Sequence, residues 1–143
     1  MKILILNGPN LNRLGQRKPE IYGSKSMAQV LLDIQQAWPE VYFVYRQSNH
    51  EGALIDALQE FEGDGIVLNA GGYTHTSVAL RDAVEDCRCP VVEVHISDIR
   101  QREPFRRISL LTDVCAYSII GHGTDGYQEA VQWIIDRVKS EEL

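Results

Sequence analysis

A chain of 143 residues, 44% hydrophobic and 24% charged, matches one ordinary globular domain whose core needs no disulfide or metal staple. Fourteen Lys and Arg against twenty Asp and Glu leave a net charge of −6, which argues against a general nucleic-acid or anionic-membrane binder. No apolar run approaches the ~18 residues of a membrane span, and the quickly polar N-terminus does not read as a secretory signal; three cysteines (Cys87, Cys89, Cys115) without C-x-x-C spacing fit a reduced, cytoplasmic compartment and no zinc site.

In chain order, Ile3–Leu6 reads as the first strand. A long polar connection, Asn7 to Lys25, follows it, of a length usual for a functional lid or a disordered segment. Met27, Val30, Leu31, Ile34 and Trp38 share one helical face, and Pro39 stops that helix. Val41–Tyr45 is the second strand. Ser48-Asn49-His50-Glu51 reads as a capping box opening a helix with Leu54, Leu58 and Phe61 inward. Ile66–Leu68 is the third strand, with a helix from about Thr74–Ser77 to Glu85. Val91–Val94 is the fourth strand, and the segment Ser97 to Arg107 after it holds four of the ten arginines. Val114–Ile120 is the fifth strand, and Tyr127, Val131, Ile134 and Val138 mark the last helix. Continuous apolar strands alternating with helices predict an α/β fold over residues 1–143, a five-stranded parallel sheet covered on both faces. The flavodoxin-like order 2-1-3-4-5 fits five such strands best.

Ligands of such sheets bind beyond the carboxyl ends of the strands, where the strand order reverses. That mouth collects Asn7 to Asn10, Asn69 to His75, and His95-Ile96-Ser97. It offers amides, hydroxyls, histidines and nearby arginines, with no carboxylate cluster for Mg²⁺, which suits a small polyhydroxylated or anionic metabolite. Glu93 shares a strand face with His95 and can orient its ring. Each feature also has a plainer reading: Asn69 and His75 as helix caps, His50 as a helix start, and the arginines, Arg100 first, as a solvated patch. Gly121 to Gly126 matches G-x-G-x-x-G, yet the few residues beyond it leave no second strand for a ribose-binding acid. Its glycines are expected to serve a tight turn and close helix packing instead. A receiver-like binding module would want an acidic Mg²⁺ pocket at the strand ends, where Asn7, Asn69 and His95 stand.

Longer motifs are more specific. Ile5-Leu6-Asn7-Gly8-Pro9-Asn10-Leu11-Asn12 and Gly15-Gln16-Arg17-Lys18-Pro19-Glu20-Ile21-Tyr22-Gly23 resemble the opening of the type II 3-dehydroquinate dehydratases. Gln47 to Gly52, Asn69 to Ser77 and Glu93 to Ser97 resemble that family's later blocks in the same order. The resemblance implies a flavodoxin-like homododecamer that converts 3-dehydroquinate, an anionic cyclic polyol acid, to 3-dehydroshikimate in the shikimate or quinate pathways. It implies Tyr22 as general base, His95 as proton donor, Arg17 as stabiliser of the charged transition state and Asn10 as the holder of a water. It implies Asn69, His75, Ile96, Ser97 and Arg106 as substrate contacts, and Asp82 as an acid reaching a neighbouring subunit's site. Asp98, Arg100, Gln101, Pro104 and His122 depart from the commonest family pattern. Lysines occur only at positions 2, 18, 25 and 139, so a Schiff base at a strand end is not expected, nor any metal or cofactor.

Overall fold

The computed structural model describes residues 1–142. Five parallel strands run β1 (Lys2–Asn7), β2 (Tyr42–Gln47), β3 (Gly65–Asn69), β4 (Val91–His95) and β5 (Tyr117–Ile120), in the spatial order β2-β1-β3-β4-β5 that the alternation predicts. The helices are α1 (Pro19–Tyr22), α2 (Met27–Ala37), α3 (Glu51–Glu60), α4 (Val78–Glu85) and α5 (Asp125–Glu141).

Side chains alternate across a strand, so each central strand feeds two cores. Ile3, Ile5, Val67, Val92 and Val94 pack under Val30 and Ile34 of α2 and Val131 and Ile134 of α5. Leu4, Leu6, Ile66 and Leu68 pack on the other side under Leu54 and Leu58 of α3 and Leu80 and Val84 of α4. Each such side chain, fully buried, contributes roughly 1.5–3 kcal/mol against its exposed state. Both faces of β1, β3 and β4 are therefore covered, which is why the interiors of β1 and β3 are continuously apolar and that of β4 is broken only by Glu93.

Three local expectations are corrected. The fifth strand begins at Tyr117, not Val114, because the amides of Val114 and Cys115 both bond to the carbonyl of buried Leu111 in a turn. The second strand is shifted, running Tyr42–Gln47, since Val41 still closes a turn onto the Trp38 carbonyl. The capping box does not form. Ser48 Oγ accepts from the His50 amide two residues on, and His50 itself precedes α3 with no side-chain cap bond.

The parallel register sets Asn7 beside Asn69 on adjacent strands, and it brings β4 to an end at His95 nearby. The three strand ends open on one edge of the sheet. There the order reverses, with β2 and β3 on either side of β1.

Candidate active site

A cavity of about 220 Å³ lies over those strand ends. Asn10, Arg17, Tyr22, Asn69, His75, His95, Ile96, Ser97 and Arg106 all line it, drawn from three separate stretches of chain. Of the expected site residues, Asp82 alone lies elsewhere, on an exposed face of α4.

His95 ends β4, where it is 6% exposed, and its Nε2 is 2.8 Å from Oε2 of Glu93. Glu93 is itself 1% exposed, a placement that is tolerable for a carboxylate only when its oxygens are saturated. They are. Oε2 also accepts from Ser109 Oγ at 2.9 Å, and Oε1 accepts from Ser118 Oγ at 2.6 Å and from Thr112 Oγ1. Burial pushes the Glu93 pKa up, but the bond and charge of His95 and the two hydroxyls outweigh it and hold the group down at about 2. An ionised carboxylate only accepts, so His95 Nε2 carries a proton and Nδ1 is the ring nitrogen left for exchange.

Tyr22 closes α1, the short helix inside the Asn7–Lys25 segment, and half-buries its ring at the cavity mouth. Arg102 Nη1 donates to its hydroxyl at 3.3 Å and to Ser97 Oγ at 3.0 Å. The guanidinium of Arg17 stands 4.9 Å from the Tyr22 ring centroid. Burial raises the phenol's pKa; the Arg102 hydrogen bond and the charges of Arg102, Arg17 and Arg106 lower it, and the net shift is downward. The long segment and the arginines after β4 thus meet at a phenol whose ionised form they favour.

The amides and the second histidine face the same space. Asn10 adopts φ 70, a left-handed conformation asparagine tolerates, and its backbone N–H donates to Asn49 Oδ1 at 3.0 Å. His75 Nδ1 donates to the Ile108 carbonyl at 2.8 Å, which leaves Nε2 for a ligand. Neither Asn69 nor His75 caps α4; Ser77 does, accepting from the Leu80 amide at 2.8 Å. Arg106 lines the cavity while bonded to Glu103 at 3.0 Å.

Arg102 is the functional side chain that sequence reasoning passed over. The clustering of arginines after β4 was the available signal, but nothing in the spacing separates it from its neighbours. Arg100, in contrast, is exposed and paired with Asp98 at 2.8 Å. The G-x-G-x-x-G segment behaves as expected of a turn. Gly121 takes φ 81, and a Cβ on Gly126 would sit 3.1 Å from Val94 and 3.3 Å from Ile119, so α5 can lie close on the sheet. Cys87 sits half-buried with its thiol pushed up to about 11 by burial and the nearby Cys89 and Asp86, which makes it a poor nucleophile. Among the described residues, no three His, Cys, Asp or Glu side chains group as metal ligands would.

Comparison with known proteins gives one answer along nearly the whole chain. The family described as Dehydroquinase class II matches residues 1–135. The 3-dehydroquinate dehydratase of Chlorobaculum tepidum is 48% identical over 139 residues, 94% of each chain. That of an Exiguobacterium strain is 49% identical over 138 residues, 95% of each. The crystal structure of type II dehydroquinase from Butyrivibrio crossotus superposes with a TM-score of 0.90 at 44% identity, covering 94% of this chain and 97% of that one. With the sheet order, the strand-end cavity and both chains covered almost end to end, this chain belongs to the class II dehydroquinase family.

Proposed function

We propose that this chain, as a single catalytic domain over residues 1–143, eliminates water from 3-dehydroquinate to give 3-dehydroshikimate. The observation that carries the reading is the facing of two proton-transfer groups across one small cavity: Tyr22 beside Arg102 and Arg17, and His95 held by Glu93. Tyrosinate takes the proton α to the ketone, and the electron pair moves onto the ketone oxygen as an enolate. Asn10 and a water it holds stabilise that oxygen, with Arg17 balancing the developing charge. The enolate then collapses and expels the β-hydroxyl, which His95 protonates from Nδ1, so that one water leaves. Arg106, Ser97, the Ile96 backbone, Asn69 and His75 supply contacts for a carboxylate and ring hydroxyls, a planar guanidinium suiting planar oxygens. The test is direct: 3-dehydroquinate mixed with the protein should produce the absorbance of a conjugated enone, and no absorbance rise overturns the reading.

Neither a metal nor an imine has a part in this scheme. None of the four lysines lines the cavity. Turnover should therefore survive chelator, and borohydride added with substrate should trap no adduct; inactivation by either treatment counts against the mechanism.

The working form is proposed to be a homododecamer, in a cytoplasmic setting that suits three free thiols. Val78, Phe105 and Ile108 are 60%, 66% and 69% exposed around the rim that carries His75 and Arg106. Asp82 lies one turn beyond Val78 on the same face of α4 and outside its own cavity, which supports a role in a neighbour's site. Light scattering should give a mass near twelve times the 16.2 kDa chain. A fully active monomer would remove the shared site.

A further inference from the structure

Beneath the cavity lies a buried polar chain of which the reaction scheme uses only Asn69. Asn7 and Asn69, 0% and 5% exposed, end adjacent strands, and the hydroxyl of Tyr127 sits between them at 0% exposure. Asn69 Nδ2 is 3.0 Å from Tyr127 Oη, Tyr127 Oη is 2.8 Å from Asn7 Oδ1, and Asn7 Nδ2 is 3.3 Å from Tyr45 Oη. The direction of every bond follows from one backbone group. The Gly71 amide, 3.2 Å from Asn69 Oδ1, can only donate, so the Asn69 oxygen faces Gly71 and its NH₂ faces Tyr127. Tyr127 must then accept from Asn69 and give its own proton to Asn7. One N–H of Asn69 is spent; the other is left for the cavity that Asn69 lines.

We infer that Tyr127 is a positioning residue, which fixes the Asn69 carboxamide so that it meets the substrate as a hydrogen-bond donor to a ring oxygen. The G-x-G-x-x-G turn gains a purpose here. Gly126, without a Cβ to press on Val94 and Ile119, lets the start of α5 lie close enough for the next residue to reach under β1 and β3. Without the Tyr127 hydroxyl the carboxamide is held by the Gly71 bond alone, and its NH₂ is aimed less firmly at an acceptor on the ligand. The inference rests on the dehydratase reading, because it needs a hydroxyl-bearing substrate at Asn69.

Tyr127→Phe keeps the ring and deletes the hydroxyl. It should raise KM about tenfold while kcat changes less than about threefold, the pattern of a lost binding contact. The deciding measurement is a double-mutant cycle with Asn69→Ala. If Tyr127 acts through Asn69, the double variant has the KM of Asn69→Ala alone; a merely structural tyrosine gives multiplied effects. Should Tyr127→Phe fail to fold, Asn7→Ala carries the same cycle, since it keeps the phenol but removes the acceptor that directs its proton away from Asn69. Multiplied effects, or an unchanged KM in a folded variant, overturn the inference and leave the dehydratase reading intact. A wild-type protein that does not turn over 3-dehydroquinate overturns both.

Discussion

Tyr22→Phe is expected to lower kcat by more than about 10³-fold while KM stays within a few-fold of wild type. An ordinary phenol with a pKa near ~10 is ionised about once in a thousand at pH 7, a handicap of roughly 4 kcal/mol for a base. Burial makes that handicap worse at Tyr22, yet the hydrogen bond from Arg102 and the charges of Arg102, Arg17 and Arg106 more than offset it. The sign of the pH dependence follows. The base works only when deprotonated, so kcat climbs with pH until the tyrosine has ionised, and a lowered pKa moves that climb toward neutrality. Arg102→Ala removes both the hydrogen bond and a charge, so its rising limb should move to higher pH, with about tenfold lost at pH 7 for each unit of displacement. Arg17→Gln, which removes charge alone, should move it in the same direction by less. Activity retained in Tyr22→Phe would place the base elsewhere, and an unmoved limb in Arg102→Ala would deny that arginine its part.

The sheet and most of the cavity were legible because their signals are local and redundant. Central strands buried on both faces leave apolar runs that only Glu93 interrupts, and their ends at Asn7, Asn69 and His95 are where the cavity opens. What the chain hid is what depends on three-dimensional direction. Arg102 and Arg100 are two residues apart and chemically alike; one reaches Tyr22 and Ser97, the other is spent on Asp98 in solvent. The three hydroxyls on Glu93 come from positions 109, 112 and 118, in a stretch whose turn the pattern mistook for strand. Tyr127 sits in the apolar stripe of α5 and reads as core, which its ring is; only its hydroxyl betrays a second role.

His95→Ala should reduce kcat by about 10²–10⁴, the range usual for loss of one acid–base group, with a much smaller change in KM. The surrounding structure sharpens that expectation. Glu93 accepts from four donors and stays ionised, so it keeps Nε2 occupied as a donor, leaving Nδ1 to serve the departing hydroxyl. Glu93→Gln tests that linkage without touching the ring. An amide has one acceptor oxygen, and its NH₂ must point either at His95 and Ser109 or at Thr112 and Ser118. In the first case the imidazole is forced to accept at Nε2 and its proton moves to Nδ1; in the second the ring keeps its tautomer but loses its negative partner. Hydroxyls turn to accept more readily than a ring changes tautomer, so the second arrangement is expected, with kcat falling less than in His95→Ala and KM little changed. If His95→Ala turns over normally, His95 is only a satisfied strand-end residue, and protonation of the leaving group belongs to another side chain on the cavity wall, with His75, whose Nε2 is free, the first to examine.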